Sequence, residues 1–245
     1  MKDYLIDTHA HLDMLSELDI SGVGKIVVPS VEINTMDKVV ALSKNPNVYS
    51  MVGIYPSEAK TYTQDVEDKM IELSQNNKVV AIGEIGLDYY WDKSFVELQK
   101  EVFIKQIKLA NKLNLPIVVH DREAHKDCFD IIKEHNKDSK VLFHCFSGSV
   151  EFMRECVKQD WYIALGGVVT FKNAVKMKDV AREIPLNKLV LETDAPYLTP
   201  VPFRGKENKP AYVRYVAEEI ANIRGINVEE IIDITTRNAE EFFGI

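Results

Sequence analysis

Two histidines separated by one alanine, His9 and His11, close an apolar run in the stretch Leu5-Ile6-Asp7-Thr8-His9-Ala10-His11-Leu12-Asp13. In an extended chain, residues two apart face the same side, so both imidazoles aim at one point. Two neutral imidazoles converging on a point make a grip for a divalent cation. A bare H-x-H is equally a polar pair capping a strand where it meets water, and the pair alone leaves both readings open. The ends of the other apolar runs weigh on the choice. One run ends in Gly83-Glu84-Ile85-Gly86-Leu87-Asp88, another in His120-Asp121-Arg122, a third in His144-Cys145-Phe146-Ser147-Gly148 and a fourth in Glu192-Thr193-Asp194-Ala195-Pro196. Four of the six histidines, with Glu84 and Asp194, thus occupy one kind of position, the C-terminal end of a strand-like segment. Singly, each is a satisfied polar residue or a helix cap. Together, beside apolar strands, they are costly to bury unless something pairs them, and a metal cluster does so.

The segments that position them recur along the chain. Eight short apolar runs cover residues 4–7, 25–29, 48–54, 79–84, 117–120, 141–145, 161–165 and 189–192. Most are rich in Val and Ile with little alternation, as in parallel strands buried on both faces. Helical patterns fill most of the gaps, for example over residues 95–113, stopping before Pro116. Two further helices follow the eighth run. One spans about residues 210–224 and ends at Gly225; the other starts at the cap Asn227, with Glu230 placed as in a capping box. Alternating β and α units imply a parallel sheet. Eight of them in 245 residues indicate an α/β protein of the (β/α)8 TIM-barrel class with additional C-terminal helices, in a single domain over residues 1–245. An open doubly wound sheet would want a glycine-rich loop after its first strand, where this chain has Thr8-His9-Ala10-His11. In such barrels active sites lie at the C-terminal ends of the strands, where these residues cluster. His125 and His135 fall in the helical stretch after the fifth run and are expected at the surface.

Composition narrows the class of function. Hydrophobic residues make up 46% and charged residues 28%, an ordinary globular balance, and no apolar run approaches the ~20 residues that span a bilayer. The start "MKDYLIDTH" reads as neither a secretory signal nor a transit peptide. Three cysteines, Cys128, Cys145 and Cys156, without a C-x-x-C, suit a reduced cytoplasm and argue against a disulfide framework or thiolate zinc site. Neither a membrane nor an obligate protein partner is expected. The net charge of −8 provides no long-range field for nucleic acid, which counts against a duplex-coating binder. It leaves room for an enzyme acting on phosphodiesters, because bound cations supply positive charge locally.

Beyond these residue patterns, the chain resembles the TatD family of metal-dependent deoxyribonucleases within the wider metal-dependent hydrolase barrels. The resemblance is carried by "LIDTHAHLD", "IGEIGLDYYW", "PIVVHDREAH", "HCFSGS", "LETDAPYLTP" and "FRGKENKPAYV", in order along nearly the whole chain. It implies that His9, His11 and Asp194 hold one metal, that His120 and His144 hold a second, and that Glu84 bridges the two. The ions would be Mg, Mn or Zn, two per subunit. Related amide-hydrolysing barrels often bridge with a carboxylated lysine on the fourth strand; Glu84 at that place puts this chain, by resemblance, with the phosphodiesterases. Two ions about 3.5–4 Å apart can clamp the attacking and leaving oxygens of an in-line displacement, with a metal-bound hydroxide as nucleophile. Glu84 and Asp194 are then the catalytic carboxylates, with Asp194 also accepting or relaying the proton. The implied activity is a deoxyribonuclease, a 3′–5′ exonuclease on single-stranded or frayed DNA ends.

Around that centre, Arg122 is placed to meet a phosphate bidentately, or else to pair with Glu123 or Glu192. Arg204 and Lys206 lie in a loop that contacts substrate or is simply a solvated charge cluster. Glu192 is expected to orient a ligand or Arg122. Asn208 is expected to cap a helix and Cys145 to be core. Tyr89, Tyr90, Trp91 and Phe146 either stack on unpaired bases or pack. The chain departs from the family pattern at Tyr55, where histidine is common, at Ile85, where threonine is usual, and at Lys126, where an acid is common. None is a proposed ligand, but Tyr55 is a candidate contact to substrate phosphate or water. The alternatives to a nuclease are a metal-dependent ester or amide hydrolase, such as an aminoacyl-tRNA deacylase, and a non-catalytic nucleic-acid binder, whose basic face the charge balance lacks.

Overall fold

Each Val/Ile-rich run becomes a strand in the computed structural model, which describes residues 4–245; the Met1-Lys2-Asp3 start of the leader reading lies outside them. The strands are β1 (Ile6–Asp7), β2 (Lys25–Pro29), β3 (Val48–Val52), β4 (Val79–Asp88), β5 (Ile117–Arg122), β6 (Val141–Phe143), β7 (Tyr162–Leu165) and β8 (Leu189–Leu191). The helices are α1 (Ile33–Leu42), α2 (Gln64–Leu73), α3 (Val96–Leu113), α4 (His125–His135), α5 (Val150–Lys158), α6 (Val175–Glu183), α7 (Val213–Arg224) and α8 (Val228–Phe243). The strands form one parallel sheet in chain order, β1 to β8, the (β/α)8 topology. Parallel order follows from the helical crossovers, which are the connections that join successive parallel strands.

Compact packing divides the chain into two units, Met1–Val28 with His144–Ile245, and Pro29–Phe143. In the first, β1 pairs with β2 and β7 with β8. Apart from Asp7 in β1 and the half-buried Lys25 that starts β2, its strands are apolar and buried, with Ile26, Val27, Ile163 and Val190 at 0–1% exposure, as strands covered on both faces must be. Asn227 caps α8 by accepting the Glu229 amide (3.0 Å), and Gly225 ends α7 at φ +66°. In the second unit β3, β4, β5 and β6 pair in succession. Its helix α3 buries Val102, Phe103, Ile107, Leu109 and Ala110 on one face, and two glutamines with them. Gln106 accepts the Ile54 amide (2.8 Å) and donates to its carbonyl (3.1 Å), while Gln99 does the same for Asp88 (2.9 and 3.1 Å). These amides satisfy backbone groups just past β3 and at the end of β4, where the chain leaves the sheet. Among the described residues no helix is long and apolar enough to cross a membrane.

Candidate functional site

In the first unit the chain beyond β1 bends at Thr8 and is held on both sides up to His11. Thr8 N–H donates to Leu191 O (3.0 Å), Ala10 N–H to Val27 O (3.2 Å) and His11 N–H to Ala195 O (2.7 Å), and Asp194 N–H returns a bond to His9 O (2.9 Å). The two-residue period therefore brings both imidazoles to one place. His11 Nε2 lies 3.5 Å and His9 Nε2 3.9 Å from the same Asp194 Oδ1. These separations are longer than a good hydrogen bond. They match two atoms sharing one ion, since metal–ligand bonds of about 2.1 Å at a tetrahedral angle set ligand atoms about 3.4 Å apart. The donor set fits a divalent cation. Burial pushes the Asp194 carboxyl up, but the close approach of His11 and the imidazoles of His9 and His144 outweigh it and hold the group below its ordinary value.

His144 stacks on His9, centroids 3.9 Å apart and planes within 13°. Glu192 is fully buried: Oε1 accepts the Cys145 amide (2.5 Å) and lies 3.8 Å from His144 Nδ1, while Oε2 has no hydrogen-bond partner. Burial pushes Glu192 up to about 8, against the pull of His144. His9, His144 and Glu192 each place a ligand atom within 4.8 Å of the others, so Glu192 stands within ligand reach, beyond the orienting part expected of it.

Two residues to which the sequence reading gave no part in the centre fasten this cluster. Asp7 accepts the Thr193 hydroxyl (2.5 Å), the Thr193 amide (2.9 Å) and the His9 amide (3.2 Å), tying the histidine strand to the Asp194 loop. Burial pushes Asp7 up to about 7, opposed by the bonds from Thr193 and His9. Asn208, expected as a helix cap, is instead buried and donates to Thr193 O (2.8 Å) and Tyr197 O (2.6 Å), the carbonyls on either side of Asp194. The 3-10 turn Pro210–Tyr212 has Lys209 at its cap position and no side-chain cap. Asn208→Ala should cost about 1–3 kcal/mol, because it strips a partner from the buried Thr193 carbonyl. It should also weaken metal affinity about 10- to 100-fold, the usual cost of losing an outer support. Thermal unfolding and metal titration of the same sample read both; wild-type values in both would show that the loop needs no such brace.

In the second unit Glu84 and His120 lie on the paired strands β4 and β5, with Gly86 opposite His120 and the register shifting between Ile82 and Ile85. His120 Nδ1 is 2.9 Å from Glu84 Oε1. Its Nε2 is 3.1 Å from Asp88 Oδ2 and 3.0 Å from the Tyr55 hydroxyl, which donates to the same Asp88 oxygen (2.9 Å). Asp88 is the residue here that sequence reading passed over. Its signal was available: it stands four residues beyond Glu84 on one strand, hence on the same face. A carboxylate on the second nitrogen of a ligating imidazole fixes its tautomer and orientation. Burial raises Asp88, but the bonds from His120, the Tyr90 amide and Tyr55 outweigh it and bring the group to about 2. Burial, then the charges of Glu84 and Asp88, push the Tyr55 phenol well above its ordinary value, so it stays a neutral donor.

The remaining candidates divide. Arg122 stacks its guanidinium 3.8 Å from the Tyr90 ring centroid and 5.3 Å from that of Trp91. Arg204 is exposed, stacks on Phe171 (3.8 Å) and donates to Thr199 O (3.3 Å). Lys206 is exposed too. Tyr89 and Phe146 take the packing alternative: Tyr89 donates to Asp127 (2.7 Å) and Phe146 is buried against Phe152. Cys145, expected in the core, is half-buried at φ +43° because its amide must reach Glu192. His125 and His135, expected at the surface, are half-buried, and His125 Nδ1 sits 2.7 Å from Asp121.

The family model described as TatD related DNase matches residues 6–244. The chain is 45% identical over 253 residues to the metal-dependent hydrolase YabD of Bacillus subtilis, covering 98% of this chain and 99% of that protein. It is 36% identical to the metal-dependent hydrolase YcfH of Escherichia coli, covering 99% and 96%. Among solved structures, YJJV, a TatD homologue from Escherichia coli, matches with a TM-score of 0.91 and 30% identity over 98% of each chain.

Proposed function

The chain belongs to the TatD related DNase family, a metal-dependent hydrolase like its relatives, and from that premise we propose a phosphodiesterase acting on DNA ends, removing nucleotides from the 3′ terminus of single or frayed strands. The observation that carries the reading is the pair His9 and His11 trained on one Asp194 oxygen at metal-sharing distances. In this reading His9, His11 and Asp194 hold one divalent ion, His120 and His144 a second, and Glu84 is shared by both. Imidazole with carboxylate suits Zn or Mn, and carboxylate with water suits Mg. When bound, such ions lower the pKa of water and neutralise charge on the phosphodiester. Four cationic charges against Glu84 and Asp194 leave about two positive charges for an anionic substrate, which a chain of net charge −8 needs locally.

The chain's own groups do the rest. Asp194, its Oδ1 facing the imidazoles, accepts a proton at its carboxylate. Asp88 and Tyr55 hold the His120 ring in one orientation, and Glu192 faces His144 Nδ1 at 3.8 Å. Arg122 meets a phosphate of the bound strand, and the exposed Arg204 another. The chain's few cysteines, three in number, suit a cytoplasmic setting.

The test uses purified protein with Mg, Mn or Zn on single-stranded oligonucleotides whose 3′ or 5′ ends are blocked. Stepwise shortening from a free 3′ end, abolished by EDTA, is expected. Turnover of an aryl ester with no nucleotide release would replace this reading with the ester or amide hydrolase.

A further inference from the structure

Trp91 is 70% and Tyr90 48% exposed, an unusual display for two large neighbouring rings. They meet edge-to-face, centroids 4.8 Å apart at 86°, with the Arg122 guanidinium over Tyr90. A stacked guanidinium keeps its edge N–H groups for an anion while its plane lies on the ring. The group therefore offers an open aromatic surface beside a cation, the pairing that single-stranded nucleic acid uses for base and phosphate.

Its position is set relative to the ligand His120. Asp88 Oδ1 accepts the amides of Tyr90 (2.9 Å) and Trp91 (3.3 Å), while Oδ2 of the same carboxylate lies on His120 Nε2. Arg122 is opposite Asp88 in the β4–β5 register and two residues beyond His120, about 6.6 Å along the strand and on the same face. Tyr89 N–H donates to Arg122 O (2.9 Å), which pins the start of the aromatic turn to β5. One buried carboxylate thus ties the His120 imidazole and the start of the exposed aromatic turn to each other.

The geometry points to Tyr90, Trp91 and Arg122 as a subsite for one unpaired nucleotide, the base stacking on the rings and the adjacent phosphate pairing with the guanidinium. This rests on the phosphodiesterase reading and deepens it. A base inside a duplex has both faces covered by its neighbours, so this subsite selects single-stranded or frayed ends.

Trp161 is 7% exposed, so a quench by added ligand reports Trp91. The metal-loaded full chain is titrated with a hydrolysis-resistant phosphorothioate single strand, with the same strand made abasic, and with a blunt duplex. A saturable quench by the single strand alone is expected, together with affinity, read by the anisotropy of a dye-labelled strand, about tenfold weaker in Trp91→Ala and largely restored in Trp91→Phe. Equal quenching by the abasic strand, or no loss of affinity in Trp91→Ala, would overturn the subsite. So would concentration-dependent self-association that Trp91→Ala abolishes while the single strand leaves the emission unchanged. Wild-type turnover of a small aryl phosphodiester, run in parallel, separates the two ideas. Base-dependent quenching without that turnover keeps the subsite and removes the phosphodiesterase, and turnover without quenching does the reverse.

Discussion

Glu84→Ala should lower metal-dependent hydrolysis by about two to three orders of magnitude, the scale of losing one group that organises charge in a transition state, and the fold should survive. Glu84 is 3% exposed, and its Oε1 lies 2.9 Å from His120 Nδ1. In the proposed centre Glu84 would be shared between two ions and has no substitute of the same charge: Asp88 is already engaged by His120, Tyr55 and the Tyr90 and Trp91 amides. Glu84→Gln keeps the volume and loses the charge, so it separates packing from ligation. Both variants should carry at most one divalent ion per chain where the wild type carries two, by metal analysis after dialysis. A Glu84→Gln protein with two ions and full turnover would remove Glu84 from the centre.

Gly86→Ala is the other change with a large expected effect, and here the cause is steric. Gly86 has φ +143°, a backbone region that side chains rarely adopt. A Cβ there would stand 2.0 Å from His120 O and 2.9 Å from His120 C. Both contacts are backbone on the paired strand, so no side-chain rotation relieves them; β4 and β5 must separate at His120 itself. Backbone strain of about 1–3 kcal/mol and overpacking of about 1–3 kcal/mol add to a loss of about 2–6 kcal/mol. In a chain of this size each kcal/mol lowers the midpoint of thermal unfolding by about 2–4 °C. Because His120 moves with its strand, metal content should fall as well. A Gly86→Ala protein that melts with the wild type and binds as much metal would show that the β4–β5 approach is slack.

The two changes probe different dependences, ligand identity in one case and ligand position in the other. Asn208→Ala and the Asp88 contacts belong with the second kind. Asp194 itself sits at φ +57°, a conformation costly for a residue with a side chain, and it is held there by the His9 carbonyl, the Tyr197 amide and the Asn208 brace around it.

Much of this protein was legible in its residues alone. The eight apolar runs became strands, most within a few residues of the expected limits, because an uninterrupted Val/Ile run has little alternative to a strand buried on both faces. The proposed ligands were picked out for a related reason: strand periodicity and strand ends are local properties, and His9, His11, Glu84, His120, His144 and Asp194 are marked by them. The supports were not readable. Asp7 acts on Thr193 across 186 residues, Asn208 on Tyr197 across 11, and Gln106 on Ile54 across 52. Nothing in the local pattern of an Asn before a Pro-containing turn distinguishes a helix cap from a loop brace. Likewise Tyr89 and Tyr90 are adjacent and identical in type, yet one is tied to Asp127 and the other stands open beside Arg122. Residue type and period select what chemistry the strand ends can hold; which polar partner each group finds is decided only when distant segments meet, since a hydrogen bond depends on distance and direction and carries no trace in sequence order.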